Sequence, residues 1–221
     1  MKLYIIGTPI GNLEDISLRA LRVLKEVNFI LCEDTRVTRV LLDKYEIKTP
    51  TISYFQHSGL AKVNQIIELL RQGKNLALVS DAGTPGISDP GNKLIELVLK
   101  ELPEVKIEPI PGPCAAISAL SISGLPTDKF VFYGFLPHKK GKETILKEII
   151  NNKFTSVFYE STHRILKTLG KLKDLGLKDK QVVVCRELTK KFETVYRGTI
   201  EEVLTKLEKD VTKGEFVVVV G

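Results

Sequence analysis

The chain has few cysteines and no cysteine pair. Cys32, Cys114 and Cys185 stand alone in the sequence, and no CxxC motif occurs. An odd number of isolated cysteines argues against a disulfide framework and against a zinc site, and it is typical of the reducing cytoplasm. We therefore expect a cytoplasmic protein without a metal centre.

Long apolar runs are missing as well. No stretch approaches the ~18 apolar residues that a membrane helix needs, so we expect no membrane partner. Residues 1–7 already form a strand pattern, so we also expect no signal peptide. The chain has 221 residues, of which 43% are hydrophobic and 27% are charged. This composition is typical of a globular protein and excludes a disordered or fibrous chain.

The glycine motifs of common nucleotide-binding folds are absent. The first strand pattern ends in the segment GTPIG (7–11), but the sequence GxGxxG is not present there. No Lys-Ser or Lys-Thr pair follows a glycine loop. NAD binding and P-loop phosphate binding are both disfavoured. No Ser/His/Asp arrangement is recognisable either.

Strand patterns alternate with helix patterns in the first half of the chain. Strands are predicted at 3–7, 29–32, 51–55, 75–80 and 105–110. The helices between them include one capped by Ser17, one over residues 61–72 and one opened by Asp89-Pro90. This alternation predicts an α/β domain, with a parallel sheet covered by helices on both faces.

Three prolines within residues 109–113 prevent a helix or strand from continuing through this segment, because each proline lacks the backbone N–H that donates a hydrogen bond. We place a domain boundary there, between residues 1–111 and 112–221. The second half alternates again, with strands predicted at 130–136, 155–159, 181–186, 192–197 and 215–220 and helices at 143–151, 162–175 and 199–209. The short connection after the third of these strands predicts an antiparallel hairpin in a mixed sheet.

The net charge of +6 comes entirely from the second half. Residues 1–111 hold 14 Lys and Arg against 14 Asp and Glu, whereas residues 112–221 hold 19 against 13. A neutral half joined to a basic half suggests that one binds a small ligand and the other a polyanion. A lysine-rich solvated surface would give the same distribution, so the charge alone leaves both interpretations open.

One segment has the composition of a ligand-binding loop. Residues 80–91 (SDAGTPGISDPG) contain three glycines and two prolines in twelve positions, directly after a strand pattern. In open α/β sheets, ligands bind at the carboxyl ends of the strands, and glycine lets the backbone approach a ligand closely. A long turn before a helix cap is the alternative, but it does not explain the glycines and prolines ahead of Asp89.

Acids and an arginine follow two of the predicted strands. They form the segments EDTR (33–36) and ESTHR (160–164). The simpler interpretation of both segments is a helix cap, provided by Asp34 or Thr35 in the first and by Thr162 in the second. A further segment, HKKGK (138–142), reads as an exposed basic loop, which is weak support for nucleic-acid binding.

Seven segments together resemble one family. They are GTPIGNLEDI (7–16), CEDTR (32–36), SDAGTPGISDPG (80–91), PGPCAA (111–116), GLPTDKFVFYGFLP (124–137), FYESTHR (158–164) and CRELTKKFET (185–194). Their order and spread over nearly the whole chain resemble the tetrapyrrole methylase-like family of S-adenosylmethionine (SAM) enzymes. Within that family they resemble the branch that acts on small-subunit ribosomal RNA. Cys114 departs from the commoner serine, and a thiol is a weaker hydrogen-bond donor than a hydroxyl.

The resemblance implies a fold and an activity. It implies two α/β domains with S-adenosyl-L-methionine in the cleft between them, usually in a homodimer. It implies methyl transfer to the ribose 2′-oxygen of a cytidine in 16S rRNA of the small ribosomal subunit, near the decoding centre. Two alternatives stay open: a tetrapyrrole C-methyltransferase of the same fold, and a non-catalytic RNA-binding module.

The resemblance and the predicted strand ends together indicate candidate site residues. For the cofactor they are Pro9, Ile10, Gly11, Asp81, Ala82, Gly83, Thr84, Ile87, Cys114, Ala115, Tyr159 and Cys185. For catalysis they are Glu33, Asp34, Arg36 and Glu160, the acids being candidates for the base that takes the ribose proton. For RNA they are Lys139, Lys140, Lys142, His163 and Arg164.

Overall fold

The computed structural model describes residues 1–55, 58–210 and 213–221. The chain divides into two compact units, Met1–Cys114 and Ala115–Gly221. The division falls a few residues beyond the expected boundary at 111/112, and Gly112 in that interval packs against the backbone of Gly7 in the first unit. Within the described ranges, no helix is both long and apolar enough to cross a membrane.

The first unit contains a five-stranded parallel sheet in the order β3-β2-β4-β1-β5. Its strands are β1 (Lys2–Ile6), β2 (Phe29–Cys32), β3 (Thr51–Ser53), β4 (Leu76–Leu78) and β5 (Lys106–Ile110). The helices between them are α1 (Leu18–Glu26), α2 (Thr35–Lys44), α3 (Leu60–Arg71) and α4 (Asn92–Glu101). The predicted α/β architecture with a parallel sheet is confirmed.

The helices of this unit cover opposite faces of its sheet. Apolar residues of α1 and α2 pack with Ile6 and Ile30 on one face, whereas those of α3 and α4 pack with Leu3 and Leu31 on the other. The connections that follow β1 and β4 therefore leave on opposite faces, although these strands are neighbours. Such an arrangement opens a crevice at the carboxyl ends of the two strands. The fold thus places a ligand crevice where β1 and β4 end.

The second unit contains a mixed sheet in the order β6-β7-β10-β8-β9. Its strands are β6 (Phe130–Phe135), β7 (Thr155–Ser161), β8 (Val182–Arg186), β9 (Thr194–Gly198) and β10 (Glu215–Val220). Its helices are α5 (Ala115–Ser123), α6 (Lys142–Asn151), α7 (Ile165–Asp174) and α8 (Ile200–Glu208). β6 and β7 pair in parallel, while β8 and β9 pair antiparallel, which confirms the predicted hairpin and the mixed sheet.

Helix α5 was not expected from the sequence. It packs against β7 and β10. Its sequence, AAISALSIS, consists of apolar and small residues without the charged stripe that marks an amphipathic helix. Periodicity therefore gave no signal for it.

Helix α4 begins later than the sequence predicts. It starts at Asn92, with Gly91 at the N-cap, so Asp89-Pro90 belongs to the preceding loop and the predicted cap is wrong. The physical reason is the backbone: Ser88 has a φ of 60° and Gly91 a φ of 149°, so the chain makes tight turns on both sides of Asp89 before the helix begins.

The other predicted caps have mixed outcomes. Ser17 and Asp34 cap α1 and α2, each accepting a backbone N–H, as predicted. Thr162 does not cap α7, which begins at Ile165. Its hydroxyl is instead hydrogen-bonded to the N–H and the carbonyl of Gly214 just before β10, so the prediction for Thr162 is wrong.

Candidate functional site

The loops that follow β1 and β4 are joined by their backbones. Thr8 and Gly83 exchange two hydrogen bonds, with N···O distances of 2.8 and 3.1 Å. The buried hydroxyl of Thr8 lies 3.1 Å from the carbonyl oxygen of Ser80 and 3.3 Å from that of Gly83, and it can donate to either. These bonds fix the two sides of the crevice relative to each other.

Predicted cofactor-binding residues from both loops lie together here. Asp81, Ala82, Ile87 and Gly11 are exposed, Ile10 and Thr84 are half-buried, and Pro9 and Gly83 are buried. Gly83 has a φ of 81°, a conformation that favours glycine. The crevice thus combines an exposed rim with a buried glycine at its base.

The segments that follow β1 and β5 are in close backbone contact at Gly7 and Gly112. A Cβ added to Gly112 would stand 2.6 Å from the carbonyl oxygen of Gly7, and one added to Gly7 would stand 2.8 Å from the Cα of Gly112. Since these contacts are with backbone atoms, rotation of a side chain cannot relieve them. The segment 111–114, which carries the predicted residue Cys114, is thereby held against the end of β1.

Carboxylates gather at the ends of β2 and β4. Glu33 and Asp34 follow β2, while Asp81 and Asp89 lie in the loop after β4, and the backbone N–H of Asp34 donates to the Asp81 carboxylate over 3.1 Å. Burial, followed by the charges of Asp81 and Asp34, raises the pKa of Glu33. Burial also raises the pKa of Asp89 to about 6, with a smaller opposing effect from its hydrogen bond to Ser80. The negative charge collected here would favour a cationic ligand.

Asp34 differs from these acids because Arg36 pairs with it. Its carboxylate accepts the backbone N–H of Arg36 over 2.8 Å and lies 2.6 Å from the guanidinium Nη2. Hydrogen bonds from the Arg36 side chain, then from its backbone, lower the pKa of Asp34 to about 2. A carboxylate with such a low pKa is a weak base. Of the two acids after β2, Glu33 has the environment that favours proton uptake.

In the second unit, Glu160 is the centre of a buried ion cluster. Its side chain is 0% exposed, and its carboxylate lies 3.2 Å from Nζ of Lys142 and 3.0 Å from Nε of Arg164. It also accepts hydrogen bonds from the hydroxyl of Thr168 (2.6 Å) and the backbone N–H of Ser161 (2.9 Å). Burial lowers the pKa of Lys142, and the charge of Glu160 opposes that effect. We call Glu160, Lys142, Arg164 and Thr168 the Glu160 cluster.

The Glu160 cluster corrects three sequence expectations. Glu160, expected as a base for the substrate, is enclosed by its partners and has no exposed side-chain surface. Lys142, expected on an RNA-binding loop, is buried because its ammonium pairs with Glu160, although Lys139 and Lys140 are exposed. Arg164, expected to bind RNA, directs its guanidinium to Glu160 and to backbone carbonyls of residues 136 and 137. His163, the remaining residue expected to bind RNA, is exposed.

The cofactor-binding residues predicted for the second unit lie near one face of its sheet. Tyr159 of β7 and Cys185 of β8 are both paired with Val217 of β10, so the three residues lie side by side across the sheet. The Tyr159 hydroxyl accepts the backbone N–H of Ala116 over 3.2 Å, which brings it beside Ala115 at the start of α5. Cys185 is completely buried, and burial raises its pKa to about 11. Its side chain presents no surface to a ligand, so we exclude it from the site.

Comparison with known proteins assigns this chain to a family. Residues 2–204 match the family described as Tetrapyrrole (Corrin/Porphyrin) Methylases. The chain belongs to this family. The family resemblance and the fold class expected from the motifs are confirmed.

Two relatives of this methylase are similar over nearly all of its chain. It is 46% identical over 220 residues to the Ribosomal RNA small subunit methyltransferase I of Thermotoga maritima, covering 100% of this chain and 98% of that protein. It is 45% identical over 221 residues to the protein of the same name from Bacillus subtilis, covering 99% and 74%. The solved structure of a cobalt precorrin-4 methyltransferase superposes on this chain with a TM-score of 0.70, and the match covers 100% of this chain and 94% of that one. Because the two sequences are only 22% identical, this similarity shows the fold alone.

Two polar features of the methylase were missed from the sequence. Asp89 was interpreted only as a helix cap, although an acid inside a loop rich in glycine and proline was a signal for a site residue. Thr168 bonds to both Glu160 and Lys142 from the middle of α7. Nothing in the local pattern distinguishes it from an ordinary helix residue, so sequence reasoning had no means of finding it.

Replacing Asp89 by Asn tests the electrostatics of the crevice. A carboxyl with a raised pKa binds its proton more tightly in the folded state, so its charge destabilises the fold above about pH 6, and this cost disappears as the pH falls from about 6 to about 4. We expect Asp89→Asn to raise the free energy of unfolding by about 1–2 kcal/mol at about pH 8, after discounting for solvent screening, and by little at about pH 4.

Urea unfolding of the parent and of Asp89→Asn at the two pH values measures this effect. Asp128→Asn, at an exposed acid of the second unit, is the matched control for the loss of one negative charge. An Asp89→Asn variant that is no more stable than the parent at about pH 8 would contradict the raised pKa.

Proposed function

We propose that this methylase transfers a methyl group from SAM to the ribose 2′-oxygen of a cytidine in 16S rRNA of the small ribosomal subunit. The observation that carries the proposal is the 46% identity, over the full length of this chain, to a ribosomal RNA small subunit methyltransferase. The excess of basic residues in 112–221 supports a polyanionic substrate, because phosphate contacts supply much of the affinity for RNA.

The crevice at the ends of β1 and β4 fits SAM by charge and by space. SAM is a cation on balance, because its sulfonium and ammonium groups outweigh its one carboxylate, and Glu33, Asp81 and Asp89 supply negative charge. A Cβ at Gly83 would stand 3.7 Å from Ile10 and 3.9 Å from the carbonyl oxygen of Pro113, so it would fill the space between the flanking segments. Residues 81–83 and Ile10 are the residues proposed to hold SAM.

When bound, SAM supplies an electrophilic methyl group on sulfur. The hydrogen bonds between Thr8 and Gly83 hold the two loops in one geometry before any substrate arrives. Such alignment of reactants contributes up to ~7–11 kcal/mol to rate acceleration. Glu33 is the proposed general base: its carboxylate takes the proton of the ribose hydroxyl, and its raised pKa makes it a stronger base than Asp34.

Incubation with labelled SAM tests the substrate class. Parallel reactions contain small ribosomal subunits, isolated 16S rRNA or tetrapyrrole precursors. We expect label in the RNA of one or both of the first two reactions and none in the tetrapyrroles. Label in the tetrapyrroles alone would identify a C-methyltransferase instead. RNA binding without transfer in any reaction would identify a non-catalytic RNA-binding module.

Replacing Lys139 and Lys140 by Ala tests the RNA-binding surface. Each phosphate neutralised contributes ~0.7–0.9 to the slope of log affinity against log salt, so losing two contacts should lower the slope by ~1.4–1.8. The affinity for SAM should not change. Lys25→Ala combined with Lys44→Ala, at exposed lysines of the first unit, removes the same charge. If both double variants give the parental slope, Lys139 and Lys140 belong to a solvated surface only.

A further inference from the structure

The connection from β6 to α6 is tied to the carboxylate of Glu160 at both of its ends, through Arg164 at the start and through Lys142 at the end. At the start of the connection, Nη2 of Arg164 donates to the carbonyls of Leu136 (2.6 Å) and Pro137 (3.2 Å), while Nε of the same arginine lies 3.0 Å from Glu160. At its end, Lys142 is the first residue of α6, and its Nζ lies 3.2 Å from Glu160. The start of residues 136–142 is therefore tied to Glu160 through Arg164, and the end is tied to it directly through Lys142.

Between these ends, the connection presents basic side chains to solvent. His138, Lys139 and Lys140 are all exposed, and Gly141, with a φ of 85°, turns the chain into α6. Lys142 follows directly but points inward to the Glu160 cluster. The sequence HKKGK thus divides into an exposed basic tip, residues 138–140, and an internal anchor.

Stability alone is a weak reason for this arrangement. Removing a carboxylate, an ammonium and a guanidinium from water costs free energy that their mutual attraction often only offsets, and apolar side chains of similar volume frequently serve stability as well or better. What an apolar replacement would not provide is the pair of hydrogen bonds from Arg164 to the backbone of the connection. The Glu160 cluster is therefore better explained by the geometry that it fixes.

We infer that Glu160 is a positioning residue for RNA binding: through Arg164 and Lys142 it holds the exposed basic tip, residues 138–140, in the conformation that contacts the RNA backbone. The inference rests on the proposed function, because it takes the polyanion to be ribosomal RNA. It gives Glu160 a role through other residues and no contact with the substrate.

Glu160→Gln tests the inference, with Glu143→Gln as a matched control. Glu143 also lies near the start of α6, but its pair with Lys147 is exposed. Each variant raises the net charge by one, so a simple gain of positive charge affects both equally. For Glu160→Gln we expect RNA affinity to fall at least ~5-fold with a shallower salt dependence, as for lost phosphate contacts. KM for RNA should rise, while kcat and SAM affinity should equal those of the parent, and Glu143→Gln should match the parent throughout.

The exposed lysines provide a second readout. If Glu160 acts through the basic tip, replacing Lys139 and Lys140 by Ala should cost much less RNA affinity in the Glu160→Gln background than in the parent. Amide hydrogen exchange at residues 138–141 should be faster in Glu160→Gln than in Glu143→Gln. Additive losses of affinity, or unchanged exchange, would overturn the inference.

Further outcomes separate the alternatives. A lower kcat with unchanged KM would indicate a direct part in chemistry, and a lower melting temperature with parental RNA affinity would indicate stability alone; either overturns the inference. If Glu160→Gln does not fold, Arg164→Lys takes its place in the experiment. Lysine keeps the positive charge beside Glu160 but lacks the guanidinium that also binds both carbonyls, so the same rise in KM for RNA is expected.

A parent that does not bind RNA would overturn the proposed function as well, whereas a parent that binds RNA together with variants that bind it equally well would overturn only this inference.

Discussion

Glu33→Gln is expected to lower the single-turnover rate of methyl transfer, at saturating RNA and SAM, by at least ~100-fold, the lower end of what general acid–base catalysis contributes. Glutamine has nearly the size of glutamate but cannot accept the proton of the ribose hydroxyl. The effect is assigned to Glu33 because burial and the neighbouring charge of Asp81 raise its pKa, while Arg36 lowers that of Asp34 to about 2. A rapid-quench experiment with labelled SAM measures the rate.

Two further variants show whether the loss of rate is specific to Glu33. Glu26→Gln removes an acid from an exposed pair with Arg22 on α1 and should react at the parental rate. Asp34→Asn keeps the helix cap, because asparagine caps about as well as aspartate. If Asp34→Asn loses the rate and Glu33→Gln does not, Asp34 is the base in spite of its low pKa. If both transfer at the parental rate, neither acid takes the proton.

Gly112→Ala should destabilise the first unit and strongly weaken SAM binding. The added Cβ would stand 2.6 Å from the carbonyl oxygen of Gly7, so the segments that follow β1 and β5 would have to separate at the end of β1, which borders the crevice. Overpacking typically costs ~1–3 kcal/mol, and we expect a loss of free energy of unfolding of about 3 kcal/mol, since backbone cannot move aside as a side chain can. Urea unfolding and a calorimetric titration with SAM measure the two effects.

Gly170→Ala is the matched control for this substitution. Gly170 lies within α7, and among the described residues outside its own helix no heavy atom comes within 4 Å of a Cβ placed there. Alanine should stabilise the helix by ~0.5–1 kcal/mol and leave SAM affinity unchanged. A Gly112→Ala variant with parental stability and parental SAM affinity would show that the close contact between Gly7 and Gly112 is not needed for the site.

Much of the fold could be predicted because its signals are local. The strands of the first sheet follow from short apolar runs, and the parallel arrangement follows from their alternation with amphipathic helices. The loop after β4 was recognisable from its glycines and prolines, which determine backbone shape directly. Helix α5 was missed because its residues are uniformly small or apolar, so that tertiary packing and not periodicity decides where it lies.

The misassigned site residues depend on contacts that are distant in sequence. Lys142 is 18 residues from Glu160, and nothing in the sequence HKKGK distinguishes a lysine that turns inward from its exposed neighbours. Glu160 resembled Glu33 at the level of sequence, since each is an acid at the end of a strand with an arginine close behind. The structure separates them, because Glu160 is enclosed by cations and a hydroxyl while Glu33 lies among other acids.

The position of the transferred methyl group tests the central claim most directly. After reaction with labelled SAM, 16S rRNA is hydrolysed with alkali, which cleaves next to a free 2′-hydroxyl but not next to a 2′-O-methyl group. The proposed function predicts label in an alkali-resistant dinucleotide that contains 2′-O-methylcytidine. Label released in a mononucleotide methylated on its base, or no label in the RNA at all, would contradict it.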